Sequence, residues 1–196
     1  MRVNILAALA MALAGFAAPG FAHTEIYTTT LSGPAEAPPN ASPGTGTARV
    51  TIDLDLLTMR VEASFSGLLG NVTASHIHCC TALPSAGTIG VATPIPTFPG
   101  FPSGVTAGTY DQTFDLTAAS SYNPAFVTNN GGTLGTAMNT LLAGIGAGKS
   151  YLNIHTNQFP GGEIRGFLQP VPEAETYALM LAGLATVGAV VRSRRK

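Results

Sequence analysis

The fold class of this chain is clearest in TARVTIDLDLLTMRVEASFSGL, residues 47–68. In its second half polar and apolar residues alternate, and the apolar ones are Met59, Val61, Ala63 and Phe65. Successive side chains of a β-strand point to opposite faces, so this alternation is typical of a strand with one buried face. The first half alternates in the same way. The two halves therefore predict neighbouring antiparallel strands, joined by a short turn near Asp55 and Leu56.

The composition extends the all-β prediction to the rest of the chain. The 196 residues include 23 glycines and 14 prolines, which favours many short strands and turns over a helical bundle. One helix is indicated by apolar residues at helical spacing from Leu134 to Ile145, with Thr133 as its cap. Together the patterns predict a β-sandwich or Greek-key barrel of about seven or eight strands, with one short helix in a connection. The further strand-like runs are 24–31, 72–79, 108–116, 149–156 and 162–168.

The N-terminal segment has the features of a secretory signal peptide. Arg2 is its only charge, and a long apolar run follows until Pro19 and Gly20 interrupt it. Small residues then stand where a signal peptidase reads the chain, which predicts a signal peptide over residues 1–22 with cleavage after Ala22. The sequence thus predicts export through the cell's export machinery.

The C-terminal segment has the features of a membrane anchor. Residues 176–191 carry no charge, and a transmembrane helix over about 174–191 is predicted, slightly short of the roughly 20 residues that span a bilayer untilted. A basic cluster follows it. Such a cluster predicts that the tail lies in the cytoplasm and the domain outside. The cluster consists of Arg192, Arg194, Arg195 and Lys196.

The whole C-terminal segment resembles the PEP-CTERM sorting signal of Gram-negative bacteria. The matching residues are Val171, Pro172 and Glu173, together with the Leu-Ala-Gly-Leu of 181–184 and the basic end, while Ala174 replaces the second proline of the motif. The resemblance implies export and temporary anchoring in the inner membrane. It also implies recognition by an exosortase-type sorting enzyme, and release to or coupling with extracellular material.

Three strand-like runs each carry polar residues on one face. By the alternation of a strand, His76 shares a face with His78, Asn153 with His155, and Glu163 with Arg165. If these strands are neighbours, the three histidines and Glu163 converge, which is a credible ligand set for Zn²⁺ or Cu²⁺. Glu163 would be a fourth ligand or would orient a histidine. The alternative is a polar network without a metal, in which Glu163 and Arg165 bond to the imidazoles and Asn153.

The adjacent cysteines Cys79 and Cys80 have several interpretations. An exported chain meets an oxidising compartment, so two free thiols are not the default. The two cysteines form a small strained disulfide with a redox or conformational role, pair with other chains, contribute a metal ligand, or mark only a rigid turn. The sequence has no Gly-x-Ser-x-Gly motif, phosphate loop or dinucleotide fingerprint, so it predicts no catalytic residue.

Several segments together resemble the CHRD domain, which occurs in chordin and in bacterial exported proteins. They are LSGPAEAPP, GTGTARV, SHIHCC, YLNIHT and FPGGEIRGFL, and the similarity runs from about Thr28 to Leu168. It implies an all-β, immunoglobulin-like domain and no particular activity. The predicted organisation is a signal peptide over 1–22, a CHRD-like β domain over 23–169 and a sorting signal over 170–196.

Two functions are open at this point. The first is a non-enzymatic surface or extracellular-matrix protein that binds or scaffolds exopolysaccharide or other matrix components. The second is a copper or zinc protein, of which a redox-active protein is one form, with His76, His78 and His155 as ligands supported by Glu163 or a cysteine. A formal net charge of −1 argues against a nucleic-acid partner. The proline-rich loop offers Phe98 and Phe101 either as exposed adhesion anchors or, as we prefer, as buried residues.

Overall fold

The computed structural model of the protein describes residues 23–172 and four separate residues beyond them, 183, 184, 187 and 192. The predicted signal peptide lies outside the described residues. So do Glu173, most of the predicted transmembrane segment, and the tail residues Arg194, Arg195 and Lys196. Within the described part of the chain, no helix is long and apolar enough to cross a membrane.

Eight strands and little helix make up the described domain, which confirms the all-β prediction. The predicted helix is present as α2 (Leu134–Gly146), where Thr133 caps the first turn together with Thr136. A second, shorter helix, α1 (Pro124–Asn129), was not predicted, and Asn123 is its cap. The strands are β1 (Thr24–Ser32), β2 (Thr45–Asp53), β3 (Thr58–Ser66), β4 (Val72–His78), β5 (Gly108–Asp115), β6 (Tyr151–Thr156), β7 (Ile164–Phe167) and β8 (Gln169–Pro170), and the helices are α1 (Pro124–Asn129) and α2 (Leu134–Gly146).

The strands form one curled antiparallel sheet in the order β4-β6-β7-β1-β2-β3-β5, with β8 added beside β1. The stretch 47–68 forms the predicted pair of strands, in which Val50 lies opposite Val61 and Ile52 opposite Met59. Their turn is fixed by the Asp53 carboxylate, which accepts hydrogen bonds from the backbone N–H groups of Asp55 and Leu56. The immunoglobulin-like sandwich and the Greek key stay predictions.

The core lies on the apolar face of this sheet. The side chains of Val50, Ile52, Met59 and Val61 are fully buried there, and α2 adds an apolar stripe to the same core. Phe98 and Phe101 are also buried, where they pack against one another and against Tyr110, so our preference for buried phenylalanines is confirmed. The long connection from β4 to β5 therefore contributes to the core despite its prolines.

The same connection covers the outer edge of β4. Ala92 donates its N–H to the carbonyl of Ile77, and Phe98 donates to the carbonyl of Ser75. At the start of the strand, Val72 donates its N–H to the carbonyl of Val105. Because an open edge strand invites pairing with other chains, these bonds protect the sheet edge that carries two of the candidate site residues.

The last strand joins the domain to the C-terminal segment. In β8, Gln169 pairs with Thr28 and Pro170 with Tyr27. The next residue, Val171, still donates its N–H to the carbonyl of Ile26 at 2.8 Å. The chain is therefore held against β1 up to the first residue of the predicted sorting motif.

Candidate metal centre

Strands β4 and β6 bring three histidines together on one face of the sheet. In the register of the two strands, Ala74 lies opposite His155, His76 opposite Asn153 and His78 opposite Tyr151. One nitrogen from each of His76, His78 and His155 lies within 4.8 Å of the others. The structure thus brings together all three predicted histidine ligands.

A backbone carbonyl fixes the tautomer of each imidazole. His76 Nε2 lies 2.8 Å from the carbonyl oxygen of Pro96, and His78 Nδ1 lies 2.7 Å from that of Ile89. His155 Nδ1 lies 2.9 Å from the carbonyl oxygen of Pro160. A carbonyl oxygen can only accept, so each of these nitrogens carries the proton. The opposite nitrogen of each ring is left as an unprotonated acceptor.

Those three acceptor nitrogens are buried and have no hydrogen-bond partner among the described residues. They are His76 Nδ1, His78 Nε2 and His155 Nε2. Burial lowers the pKa of His76 and of His78 to about 4, against the opposing effect of their carbonyl partners, and burial also lowers the pKa of His155. The three rings are therefore neutral at pH 7, which is the protonation state in which imidazole binds a metal ion.

Tyr151 and Arg165 hold the orientation of His78. The Tyr151 ring stacks on the imidazole of His78 with centroids 4.7 Å apart, and its hydroxyl lies 3.3 Å from the same Ile89 carbonyl that His78 uses. The Tyr151 ring also contacts Arg165, whose guanidinium carbon lies 4.7 Å from the centroid of that ring. Such packing beneath a ligand ring restricts its rotation, as the hydrogen-bonded surroundings of metal ligands usually do.

The structure does not bring Glu163 to the histidines, which corrects the prediction that it joins them. Its carboxylate is fully buried and accepts hydrogen bonds from Ser42 Oγ and Leu69 N–H on one oxygen, and from Thr156 Oγ1 and Gly70 N–H on the other. Burial by itself would raise the pKa of Glu163, but these hydrogen bonds outweigh it and hold the pKa below its ordinary value. Glu163 therefore serves as an ionised structural link between loops.

Arg165 has a different partner from the one predicted. It donates to the carbonyls of Ala35 and Gly87, and its Nε lies 3.8 Å from Glu36 Oε2. The predicted network of Glu163, Arg165, Asn153 and imidazoles is accordingly wrong in its central ion pair. Glu36, which the sequence reasoning missed, takes that place. The signal that could have found it is the lone acidic residue inside the quoted segment LSGPAEAPP.

Glu36 and Asn153 leave two further acceptor atoms unpaired. Glu36 is only 6% exposed, and burial raises its pKa to about 7 even though the Arg165 charge opposes this. Glu36 Oε1 and Asn153 Oδ1 are both buried without a hydrogen-bond partner. Both lie within 2.7 Å of the point where a Cβ on Gly162 would stand. Gly162 also has a φ of 129°, so both its conformation and this crowding require glycine.

Cys79 and Cys80 are joined to one another by a disulfide directly after His78. Its sulfurs face Gly144 of α2, where an added Cβ would collide with both. A cavity of about 300 Å³ opens beside the disulfide, between residues 89–91 and the start of α1. A redox role for this disulfide stays a prediction.

The predicted sorting residues Val171 and Pro172 are exposed at the end of the domain, and Arg192 is exposed as well. The other predicted sorting and anchor residues, Glu173, Arg194, Arg195 and Lys196, lie outside the described residues. Their roles stay predictions.

The fold and the site define an antiparallel β domain that holds three neutral histidines around one point. Residues 27–168 match the family model of the CHRD domain, so the chain belongs to the CHRD domain family. Residues 170–196 match the PEP-CTERM protein-sorting motif, which indicates an exported protein that an exosortase-type enzyme recognises. Both predicted resemblances are confirmed. Comparison with curated proteins and with solved structures gave no match.

Proposed function

We propose that this protein is an exported, surface-sorted protein whose CHRD domain binds one transition-metal ion. The ligands are His76 Nδ1, His78 Nε2 and His155 Nε2. The observation that carries the proposal is that these three nitrogens converge, are buried, and accept no hydrogen bond from any residue in the described part of the chain.

The cost of the three unpaired nitrogens favours a bound ion over a polar network without a metal. A buried acceptor without a partner costs about 1–3 kcal/mol, and here three such atoms lie together. The alternative of a satisfied network requires donors, but each ring already uses its N–H on a backbone carbonyl. A single cation satisfies all three lone pairs at once.

The donor set indicates which ions fit. Three neutral imidazoles suit Zn²⁺ or Cu²⁺, and among divalent ions Cu²⁺ has the higher intrinsic affinity for such nitrogen ligands. With metal–nitrogen bonds of about 2.0–2.1 Å, tetrahedral ligands stand about 3.4 Å apart. The nitrogens span up to 4.8 Å, so rotations that move them by about 1 Å complete the site. The cysteines supply no thiolate while they are joined in the disulfide.

The sorting motif supports the second part of the proposal, which concerns where the domain acts. We infer that the chain is anchored temporarily in the inner membrane and then reaches the cell surface or the extracellular matrix. There the domain serves as a binding or scaffolding module, with exopolysaccharide as its matrix partner. Metal binding and this address are independent parts of one function, since the motif lies outside the histidine cluster.

Metal analysis of the purified protein tests the first part. We expect one equivalent of copper or zinc in the wild type, and no stoichiometric metal in the His76→Ala/His78→Ala variant. The matched control is His23→Ala, because His23 is the fourth histidine, is exposed and lies outside the cluster. Circular dichroism verifies that each variant is folded. A folded wild type that binds neither ion on titration contradicts the proposal, and so does a metal that is lost only from His23→Ala.

Cell fractionation tests the second part. The full chain is expressed in a Gram-negative host that has an exosortase-type enzyme, beside a variant truncated after Gln169. We expect the full chain in the membrane and surface fractions, and the truncated chain in the soluble exported fraction. Retention of the full chain in the cytoplasm would overturn the proposed address.

A further inference from the structure

The two unpaired oxygens of Glu36 and Asn153 lie on the same face of the sheet as the histidines. Asn153 is the cross-strand partner of His76, and it stands two residues before His155 on the same face of β6. Directly opposed residues on one face of an antiparallel pair have Cβ atoms about 4.5–5.5 Å apart. The Asn153 side chain therefore lies beside His76 across the two strands and beside His155 along β6.

Glu36 reaches this amide from the opposite side. On β7, Arg165 is the cross-strand partner of Asn153, and Glu36 lies beside Arg165. Glu36 Oε1 then meets Asn153 next to Gly162, in the turn whose Pro160 carbonyl holds His155. Asn153 is thus adjacent to His76 on one side and to Glu36 on the other, and we call this group of the three histidines, Asn153 and Glu36 the polar pocket.

When Glu36 is ionised, every unpaired buried atom in this pocket is an acceptor. The histidines contribute three nitrogen lone pairs, Asn153 and Glu36 contribute one oxygen each, and no donor within the described residues reaches any of the five. A bare cation satisfies the nitrogens but cannot satisfy both oxygens. A metal-bound water can, because it offers the ion a lone pair and still has two O–H groups to donate.

We propose that the metal ion carries an exchangeable water as its fourth ligand, and that this water donates hydrogen bonds to Asn153 Oδ1 and Glu36 Oε1. The inference rests on the proposed function, since it needs the ion. It makes the centre an open one, of the kind that exchanges small ligands, instead of a closed structural site with four protein ligands.

The pocket also selects among the ligands that can replace the water. Two acceptor oxygens favour ligands that carry O–H groups, such as water or hydrogen peroxide. Above its pKa of about 7 the Glu36 carboxyl is ionised, and it then repels a small anion such as azide at the same position, because like charges in a buried site are strongly unfavourable. Glu36 is therefore a positioning and selectivity residue that does not bind the metal itself.

The Co²⁺-loaded full-length protein provides the test, because the visible spectrum of Co²⁺ reports its coordination. At pH 8, where Glu36 is ionised, azide is titrated into the wild type, Glu36→Gln and the control Glu62→Gln, whose carboxylate lies on β3 beside Arg60. We expect azide to bind Glu36→Gln at least about tenfold more tightly than the wild type, and Glu62→Gln to match the wild type. Equal azide affinity in the wild type and Glu36→Gln would overturn the selectivity role and with it the inference.

A second measurement needs no variant and covers the case in which Glu36→Gln does not fold. Relaxation of solvent water protons by the Cu²⁺-loaded wild type detects a coordinated water that exchanges with the bulk. We expect a clear increase over the metal-free protein and a decrease when hydrogen peroxide or excess azide displaces the water. One equivalent of bound Cu²⁺ without any such increase shows a closed site, which refutes this inference and leaves the proposed function standing. Failure of the wild type to bind Co²⁺ and Cu²⁺ refutes both.

Discussion

Replacing Glu36 by glutamine should change the pH dependence of stability of the metal-free protein by an amount that its burial sets. The pKa of Glu36 is about 7 in the folded protein against an ordinary value of 4.5. The unfolded chain therefore releases this proton first as the pH rises. The wild type loses stability from pH 4.5 up to about pH 7, whereas Glu36→Gln has no such loss.

The magnitude follows from proton linkage. Between the two pKa values, each pH unit changes the free energy of unfolding by about 1.4 kcal/mol per group. From pH 5.5 to pH 7, the stability of Glu36→Gln relative to the wild type should therefore rise by about 2 kcal/mol, and it should stay constant above pH 7. The histidines titrate in both proteins, so their contribution cancels in the difference.

Urea unfolding followed by circular dichroism at pH 5.5, 6, 6.5, 7 and 8 measures this difference after the metal has been removed with a chelator. The matched control is Glu163→Gln, a second buried glutamate whose pKa is held below its ordinary value by hydrogen bonds. Because Glu163 is ionised in both the folded and the unfolded chain above pH 5.5, its variant should lose the same amount of stability at every pH. A pH-independent difference for Glu36→Gln as well would refute the reasoning about Glu36.

Three further predictions concern packing, acid stability and the buried carboxylate. Gly144→Ala should lower the free energy of unfolding by about 2 kcal/mol or more, because its Cβ collides with both sulfurs of the disulfide. Gly135→Ala on the same helix has open space, so it should be neutral or stabilising by up to about 1 kcal/mol. Urea unfolding compares the two variants, and equal stabilities would contradict the packing. The metal-free protein should lose stability as the pH falls from 6.5 towards 4, because His76 and His78 take up a proton at higher pH in the unfolded chain than in the folded one. The loss is about 1.4 kcal/mol per pH unit for each of these two histidines. Thermal melts should show that bound Zn²⁺ reduces the loss near pH 6, and a melting temperature that does not change with acid would count against the burial of neutral rings. Glu163→Gln should cost at least about 2 kcal/mol at pH 7 yet leave Zn²⁺ stoichiometry unchanged, and loss of the metal from the folded variant would contradict its placement away from the histidines.

The parts of the fold that follow strand periodicity could be predicted from the sequence. The alternation around Met59 and Val61 is a local property, and the strands form with the buried face that it indicates. Helix α1 could not be predicted in the same way, because Pro124–Asn129 is too short to show a helical period. The path of the β4–β5 connection along the edge of β4 could not be predicted either. Backbone hydrogen bonds hold it there, and these bonds do not require a particular pattern of side chains.

In the candidate site, too, the residues on regular strands could be predicted and those in irregular segments could not. His76 and His78 share a face because β4 is regular between them, and β6 as the neighbouring strand brings His155 to the same face. Glu163 was misplaced because β7 begins only at Ile164, so the strand alternation that holds for Arg165 does not extend back to Glu163, which directly follows Gly162 with its positive φ. Glu36 stands in the irregular connection between β1 and β2, where no period indicates which side chains are buried. The carbonyls of Ile89, Pro96 and Pro160 come from loops as well, and only the folded chain shows that they set the tautomers.

Because β8 pairs with β1, no loop separates the domain from the sorting motif. Gln169 and Pro170 pair with β1, and Val171 donates a hydrogen bond to the carbonyl of Ile26. The Gln169 side chain also donates a hydrogen bond to Ser85 Oγ. The folded domain therefore holds the first residue of the motif in place. Any movement of the Val171 backbone away from β1 must break this hydrogen bond. Val171 is thus constrained only as long as β1 stays folded, so the stability of the domain extends into the start of the sorting motif.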